Sequence, residues 1–338
     1  MRVAFTGVSH WHLPLYLDPV LDLPDATVVG VADPDASVAS LVAERIRTRG
    51  FSDWRQMLVD VEPEFVFVLG RHIDMPEVCG WLIDHGIPFA VEKPAGIDVA
   101  SVEGLARRAS GAGVFAAVPF VFRQSRWLEL IDTVRAGEDP IYLSFTFIAG
   151  SIDRYRSGSS WMLDRGLSGG GALSNLGIHF LDLSRLLLGE DVRVASALMS
   201  NALDGLEVED HAAVLLRSEA GASVVETGYI YPAPHMTFDM HFSVRTPRHH
   251  FAASDSKGIQ VITDGGEPRF HPMSMTNIEY YPVFVRDVLR RVQDGDRPCA
   301  DLEDMVGSAR LLHAAYAASP PLVARSTNSH AADNQVTE

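Results

Sequence analysis

Short, unbroken apolar runs punctuate the first third of the chain, and a stretch with helical spacing follows most of them. Val3-Ala4-Phe5-Thr6 predicts a strand, followed by a glycine turn and a helical stretch to about Leu23. Val28 to Ala32 predicts a second strand ending at Asp33, and a helix over Ser37 to Thr48 has apolar positions at Val38, Leu41, Val42 and Ile46. Phe65–Leu69, Phe89–Val91 and Val114–Val118 read as three more strands, with helices over Pro76–Asp84 and Ala100–Ala109 between them. Strands that are apolar on both faces suit a parallel sheet covered by helices on both sides. Strand, helix, strand at this spacing predicts βαβ units with right-handed crossovers.

The pattern changes after about Phe122. Ile141–Ile148, Ala212–Leu216, Ser223–Tyr229 and Met236–Val244 are longer strand candidates with few helices between them, which predicts a mostly antiparallel sheet. A helix over Ala172–Leu188 stops at Gly189, and two more, Tyr281–Gln293 and Leu302–Ala318, close the ordered chain. The expected fold class is α/β: a doubly wound parallel sheet over residues 1–122, then an α+β domain over 123–325 with a large, mostly antiparallel open sheet. The polar tail 326–338 is expected to be disordered.

A chain of 338 residues suits two such domains, and 47% hydrophobic with 21% charged residues describes a folded protein. The formal net charge of −16 repels nucleic acid and anionic lipid, so neither is expected as a partner. Two distant cysteines, Cys79 and Cys299, supply neither a disulfide framework nor a zinc site. The N-terminus lacks a signal-peptide pattern, and no window is apolar enough to span a bilayer, so a cytoplasmic location is expected.

The turn after the first strand, Gly7-Val8-Ser9-His10-Trp11-His12, is an incomplete dinucleotide fingerprint. Gly7 makes the tight turn; Ser9 and His12 stand where the full pattern has glycine. On its own this is equally an ordinary strand-to-helix turn. Asp33 changes the balance: it ends the second strand about 20 residues on, where a dinucleotide site places a carboxylate against the adenosine ribose. Asp35 follows, and no Arg or Lys lies between Asp33 and Glu44, which favours NAD over NADP.

Glu92-Lys93-Pro94 follows the Phe89–Val91 strand, and ligands of open α/β sheets bind at such carboxyl ends. A cis Lys93–Pro94 bond is expected. A glycine run, Gly169-Gly170-Gly171, then opens the helix that carries Asn175, His179 and Asp182 at spacings of four and three. Leu173, Leu176, Phe180 and Leu187 define its more apolar face. The plain alternatives are a surface Lys-Pro turn and a satisfied core histidine; the two motifs occurring in one chain weigh against both.

These residues resemble the Gfo/Idh/MocA family of NAD(P)-dependent oxidoreductases, over nearly the whole chain. The resemblance implies an N-terminal Rossmann domain, a C-terminal domain with a large open sheet that mediates self-association, and sugar, inositol or related polyol substrates. The family often has Asp where this chain has Asn175, so the Lys–Asp–His set is incomplete here. Asparagine can hold a hydroxyl but carries no proton or charge.

The expected function is hydride transfer between NAD and a secondary hydroxyl of a sugar-like substrate, in a homo-oligomer. His179 is the candidate base, Lys93 the hydrogen-bond donor to the developing alkoxide, and Asn175 orients a neighbouring hydroxyl. Gly7, Ser9, His10, Trp11, His12, Asp33, Glu92 and Lys93 are cofactor-site candidates. Arg123, Arg154, Tyr155, Arg156, Trp161 and Asp182 are candidates for the substrate pocket. His10 with His12, and His235, Asp239 and His241 on one strand face, invite a metal reading, but their spacing is too weak to carry one, and no metal is expected. The face His235-Thr237-Asp239-His241-Ser243 is read as a self-association surface. Two alternatives remain: a non-catalytic dinucleotide sensor, and an enzyme that cleaves glycosides through transient oxidation by bound NAD.

Overall fold

The structure, a computed structural model, describes residues 1–156, 158–203, 205–232, 238–254 and 257–322. The first sheet has six strands: β1 (Arg2–Thr6), β2 (Thr27–Ala32), β3 (Gly50–Phe51), β4 (Phe65–Val68), β5 (Phe89–Val91) and β6 (Ala116–Ala117). Their spatial order is β3-β2-β1-β4-β5-β6, and every neighbouring pair is parallel. This is the doubly wound dinucleotide-binding order, whose direction reverses between β1 and β4, where a crevice opens at the strands' carboxyl ends. Val3, Ala4 and Phe5 of β1 and all four residues of β4 are buried, as helices on both faces require.

Two elements here escaped the pattern. Strand β3 is only two residues long, too short to show a period, and the helix Trp54–Val61 follows it. The run Val114–Val118 is strand only at Ala116–Ala117, because Val118 N turns to donate to Ala300 O in the C-terminal segment. Leu41, read as core-facing, is exposed.

The second sheet has eight strands: β7 (Tyr142–Gly150), β8 (Arg193–Ser200), β9 (His211–Arg217), β10 (Ala222–Tyr231), β11 (Phe238–Arg245), β12 (His249–Ser254), β13 (Gly258–Thr263) and β14 (Arg269–Pro272). Their order is β14-β13-β12-β11-β7-β10-β9-β8; β7 and β10 run parallel, and the other neighbours antiparallel. The sheet is larger than the four candidate strands, since β8, β12, β13 and β14 lack a long apolar run. The expected start of the fourth candidate, Met236, lies outside the described residues, as do His235, Thr237 and the tail 326–338. Asp239 and His241 pair with each other at 2.5 Å on the outer face of β11.

One face of this sheet packs on the helix Ile178–Leu188: Phe180 stacks on Phe145 at 5.3 Å and meets Phe242 at 5.3 Å. The expected single helix over Ala172–Leu188 is a wide π-turn, Leu173–Gly177, followed by an α-helix over Ile178–Leu188. Nor is it amphipathic. Every residue of the α-helical part except Leu186 is buried, because the sheet, the C-terminal helix and the first domain enclose it.

The last two helices return to the first sheet. Tyr281 and Phe284 of helix Tyr281–Asp294 pack on Tyr16 at 5.2 and 6.2 Å, and the helix Leu302–Ala318 lies against Val99–Ala112. Among the described residues no helix is long and apolar enough to cross a membrane.

Candidate active site

The site lies where the carboxyl ends of the first sheet meet the glycine-run helix of the second domain. Gly7 closes β1 with φ +67°, donating its N–H to Ala32 O at 2.8 Å. An added Cβ there would lie 2.5 Å from Leu69 C and 2.6 Å from Gly70 Cα, so the turn and the end of β4 lie in contact. Asp33, buried at the end of β2, ties this turn down. Its Oδ2 accepts from Ser9 N at 2.7 Å and its Oδ1 from Asp35 N at 3.0 Å. A tight positive-φ turn at the topological switch point, with a buried carboxylate acceptor at the next strand end, is an arrangement that fits a dinucleotide. Gly7, Ser9 and Asp33 are the residues that would hold its adenosine and pyrophosphate.

The helical stretch after the turn brings in an aromatic wall. His10 stacks on Trp11 at 3.9 Å; Trp11 lies 5.1 Å from Tyr155 and 5.6 Å from Trp161. His10 is buried, and its Nε2 has no hydrogen-bond partner. Burial holds its pKa, and that of His72 behind Trp161, below the ordinary range; His72 falls to about 4. Both are neutral imidazoles at physiological pH.

At the end of β5 the Lys93–Pro94 peptide is cis, as expected. Glu92 turns inward, and its Oε1 accepts from Tyr16 OH at 2.6 Å and from His12 Nδ1 at 2.7 Å. Its Oε2 takes the backbone N–H of Lys93 at 3.0 Å. Burial alone would push this carboxyl up, but His12 and Lys93 together hold it well below the usual range, so it stays ionised. His12, whose own pKa is lowered by burial, donates to it as a neutral ring.

Lys93 crosses to the second domain. Its Nζ donates to Asn175 O at 2.6 Å and Asn175 Oδ1 at 2.7 Å, with Lys93 and Asn175 both buried. The Asn175 amide donates in turn to Tyr155 OH at 2.9 Å and Tyr229 OH at 2.8 Å. Burial pushes the Lys93 ammonium down to about 8 against the pull of Glu92, and Arg154 adds to the fall. His179 lies one turn on, ringed by Phe120 and Phe122 at 6.2 and 5.6 Å. Burial first and the Lys93 charge second keep it well below the ordinary histidine range, and its Nδ1 has no partner. A neutral imidazole with a buried, uncommitted ring nitrogen can exchange a proton with a bound group.

The glycine run is held by Glu209, which the sequence did not single out. Its carboxylate accepts from Gly171 N and Leu173 N, both at 2.9 Å, and from Tyr316 OH at 2.8 Å. Gly171 is glycine because a Cβ would overlap the Glu209 backbone carbonyl.

Two expected pocket residues are occupied elsewhere. Arg123 donates to both Asp182 oxygens, at 2.8 and 2.5 Å, and to Asp304 at 2.8 Å, in a pair whose side chains are 9% and 1% exposed. Arg123 and Asp182 thus spend donors and acceptors on joining three chain segments. Arg156 is exposed beside Asp153, with Nε 2.6 Å from its carboxylate. Arg154, Tyr155 and Trp161 do gather at the site. Tyr16, His72, Tyr229, Tyr281 and Glu209 were missed, for none belongs to a motif whose spacing ties it to the Lys93 turn or the glycine run. Among the described residues no cluster of three His, Cys, Asp or Glu could hold a metal ion.

Comparison with known proteins agrees with this geometry. Residues 1–120 match the oxidoreductase family with an NAD-binding Rossmann fold, and residues 144–245 match the GFO/IDH/MocA C-terminal domain. The chain belongs to the Gfo/Idh/MocA family. Its first domain is that family's NAD-binding Rossmann fold. Among similar proteins are levoglucosan dehydrogenase of Pseudarthrobacter phenanthrenivorans, 25% identical over 55% of this chain and 50% of that one, and D-apiose dehydrogenase of Rhizobium rhizogenes, 25% identical over 62% and 60%. The matches thus span half to three-fifths of those relatives' length. An Agrobacterium radiobacter oxidoreductase solved with NAD+, L-tartaric acid and magnesium superposes with TM-score 0.82 at 19% identity, covering 94% of this chain and 96% of that one. An Actinomadura kijaniata 3-ketoreductase solved with NADP and TDP-benzene gives 0.79 at 16% identity, covering 94% and 98%.

Proposed function

We propose that the protein moves a hydride between NAD and a carbon bearing a secondary hydroxyl on a sugar-like substrate. The observation that carries this reading is the hydrogen bonding of Lys93, from the first sheet, to Asn175 of the glycine-run segment, one helical turn before the buried His179 whose Nδ1 has no partner. Dehydrogenase names among the relatives support it.

When bound, the dinucleotide supplies hydride acceptance. The chain's residues handle the proton and the charge. His179, neutral, takes the proton of the substrate hydroxyl. Lys93 spends two donors on Asn175, and its third N–H is the one available to the substrate oxygen, where it stabilises developing alkoxide charge. Asn175 holds Lys93 in place and shares its tyrosine hydroxyls with the pocket. Ionised Glu92 keeps the Lys93 ammonium from losing its charge altogether. Trp11 and Trp161 pack against each other beside the site. Asp33, with no nearby cation on its own loop, favours NAD over NADP.

The test is NADH formation across a panel of sugars and polyols, with Lys93→Ala and His179→Ala as controls. Loss of general acid–base action lowers turnover by roughly 10²–10⁴-fold while NAD still binds. Full turnover in both variants would refute the assignment. NAD binding with no turnover of any substrate would favour a dinucleotide sensor.

A further inference from the structure

The charges at the site do not balance. Glu92 is the one ionised carboxylate facing it among the described residues, and Lys93 uses that charge. The imidazoles of His10, His12, His72 and His179 are all held neutral. Asn175, at the centre, spends its oxygen on Lys93 and its N–H groups on two tyrosines, and brings no charge. Glu209 faces the glycine-run amides and Tyr316 instead, and Asp33 faces the Ser9 turn.

Arg154 is the second cation. Its guanidinium lies over the rings of Tyr155 and Tyr229, at 4.8 and 5.2 Å from their centroids, and these are the two tyrosines that hold Asn175. It has no carboxylate partner among the described residues, and its Nε is buried without a hydrogen bond. The field of this cation reaches both Lys93 and His12. A guanidinium held against two aromatic rings that stand at 72° to each other is restrained in position while no carboxylate among the described residues takes its donors, and a guanidinium with free donors can recognise a planar carboxylate through two parallel hydrogen bonds. Most arginines here have an acidic partner; this one, beside the chemistry, does not.

We propose that Arg154 is a specificity determinant that binds a substrate carboxylate, so that the preferred substrates are polyhydroxy acids (aldonates or uronates) rather than neutral sugars or polyols. This rests on the oxidoreductase reading above and adds the substrate class. The substrate supplies the negative charge that the site lacks, with its reactive hydroxyl at Lys93 and His179 and its carboxylate at Arg154.

The test measures kcat/KM with NAD for matched sets: an aldonate or uronate, the corresponding neutral sugar or alditol, and the sugar phosphate. The acid is expected to be favoured by at least about tenfold, since hydrogen bonds to charged groups are worth roughly one to two decades. In Arg154→Gln the ratio of acid to neutral substrate should fall about 10- to 100-fold, mostly through KM for the acid. Arg154→Lys should restore part of it. A ratio near or below one in the wild type, or a ratio unmoved in Arg154→Gln, overturns the proposal while the hydride-transfer reading stands. Preference for the phosphate overturns the carboxylate assignment. No NADH from any compound in the panel ends both readings.

Discussion

The Lys93 ammonium donates to the backbone and side-chain oxygens of Asn175, at 2.6 and 2.7 Å, across the junction of the two domains. This contact makes one site of two motifs more than 80 residues apart. Asn175 holds the ammonium by hydrogen bonding without adding a charge, and burial lowers the lysine's pKa to about 8 against the pull of Glu92.

A pH dependence follows. Lys93 must carry its proton to donate to an alkoxide, and burial lowers its pKa to about 8, so kcat/KM for oxidation should fall as pH rises through about 8. His179, held well below the ordinary range, should be a competent base throughout the neutral region, leaving no acidic limb near the usual histidine value. In Asn175→Asp the new carboxylate favours the charged lysine and should move the alkaline limb upward. Steady-state profiles of both proteins check this, and an unmoved limb would assign it to another group.

Arg123 and Asp182 should behave as structural residues. Removing one partner strands a buried charge, so Asp182→Ala or Arg123→Ala should each cost about 3–5 kcal/mol in urea unfolding. The double substitution should cost less than the sum, because the two share one interaction. A substrate KM raised with unchanged stability would return them to the pocket.

Asp33 should govern the choice of dinucleotide. Replacing its carboxylate with Ser removes acceptors for the ribose and for Ser9 N, and should raise KM for NAD by about tenfold or more. The same change should narrow the gap between NAD and NADP, measured as the ratio of kcat/KM values. A wild type that prefers NADP would contradict this role.

Gly7→Ala should destabilise the first domain. The residue sits at φ +67°, and its added Cβ would press on Leu69 and Gly70. Left-handed backbone alone costs a non-glycine residue about 1–2 kcal/mol, and the overlap adds to it. Thermal unfolding with and without NAD should show a lower midpoint and a smaller stabilisation by the cofactor.

Much of this was legible along the chain. The strands β1, β2, β4 and β5 announce themselves because a parallel strand buried on both faces must be continuously apolar. Glu92-Lys93-Pro94 and the glycine run were visible for a different reason: one follows a strand's carboxyl end, where ligands of open α/β sheets bind, and the other opens a helix carrying Asn175 and His179 four residues apart. The edge strands β3 and β14 were not legible, being too short for periodicity to rise above chance. Helix Arg126–Arg135 was missed too, though its Ser125 cap was there to be read.

The order of apolar runs, the turn at Gly7 and the carboxylate at Asp33 determined the doubly wound sheet and its dinucleotide crevice, because those depend on neighbours close in sequence. Which polar residues share a pocket was decided only in three dimensions. Arg123, Arg154 and Asp182 all read as pocket candidates in the sequence, yet two neutralise each other inside the core and the third lies over the rings of Tyr155 and Tyr229. Sequence spacing sets local geometry, but ion pairing and burial are properties of segments that meet through the fold.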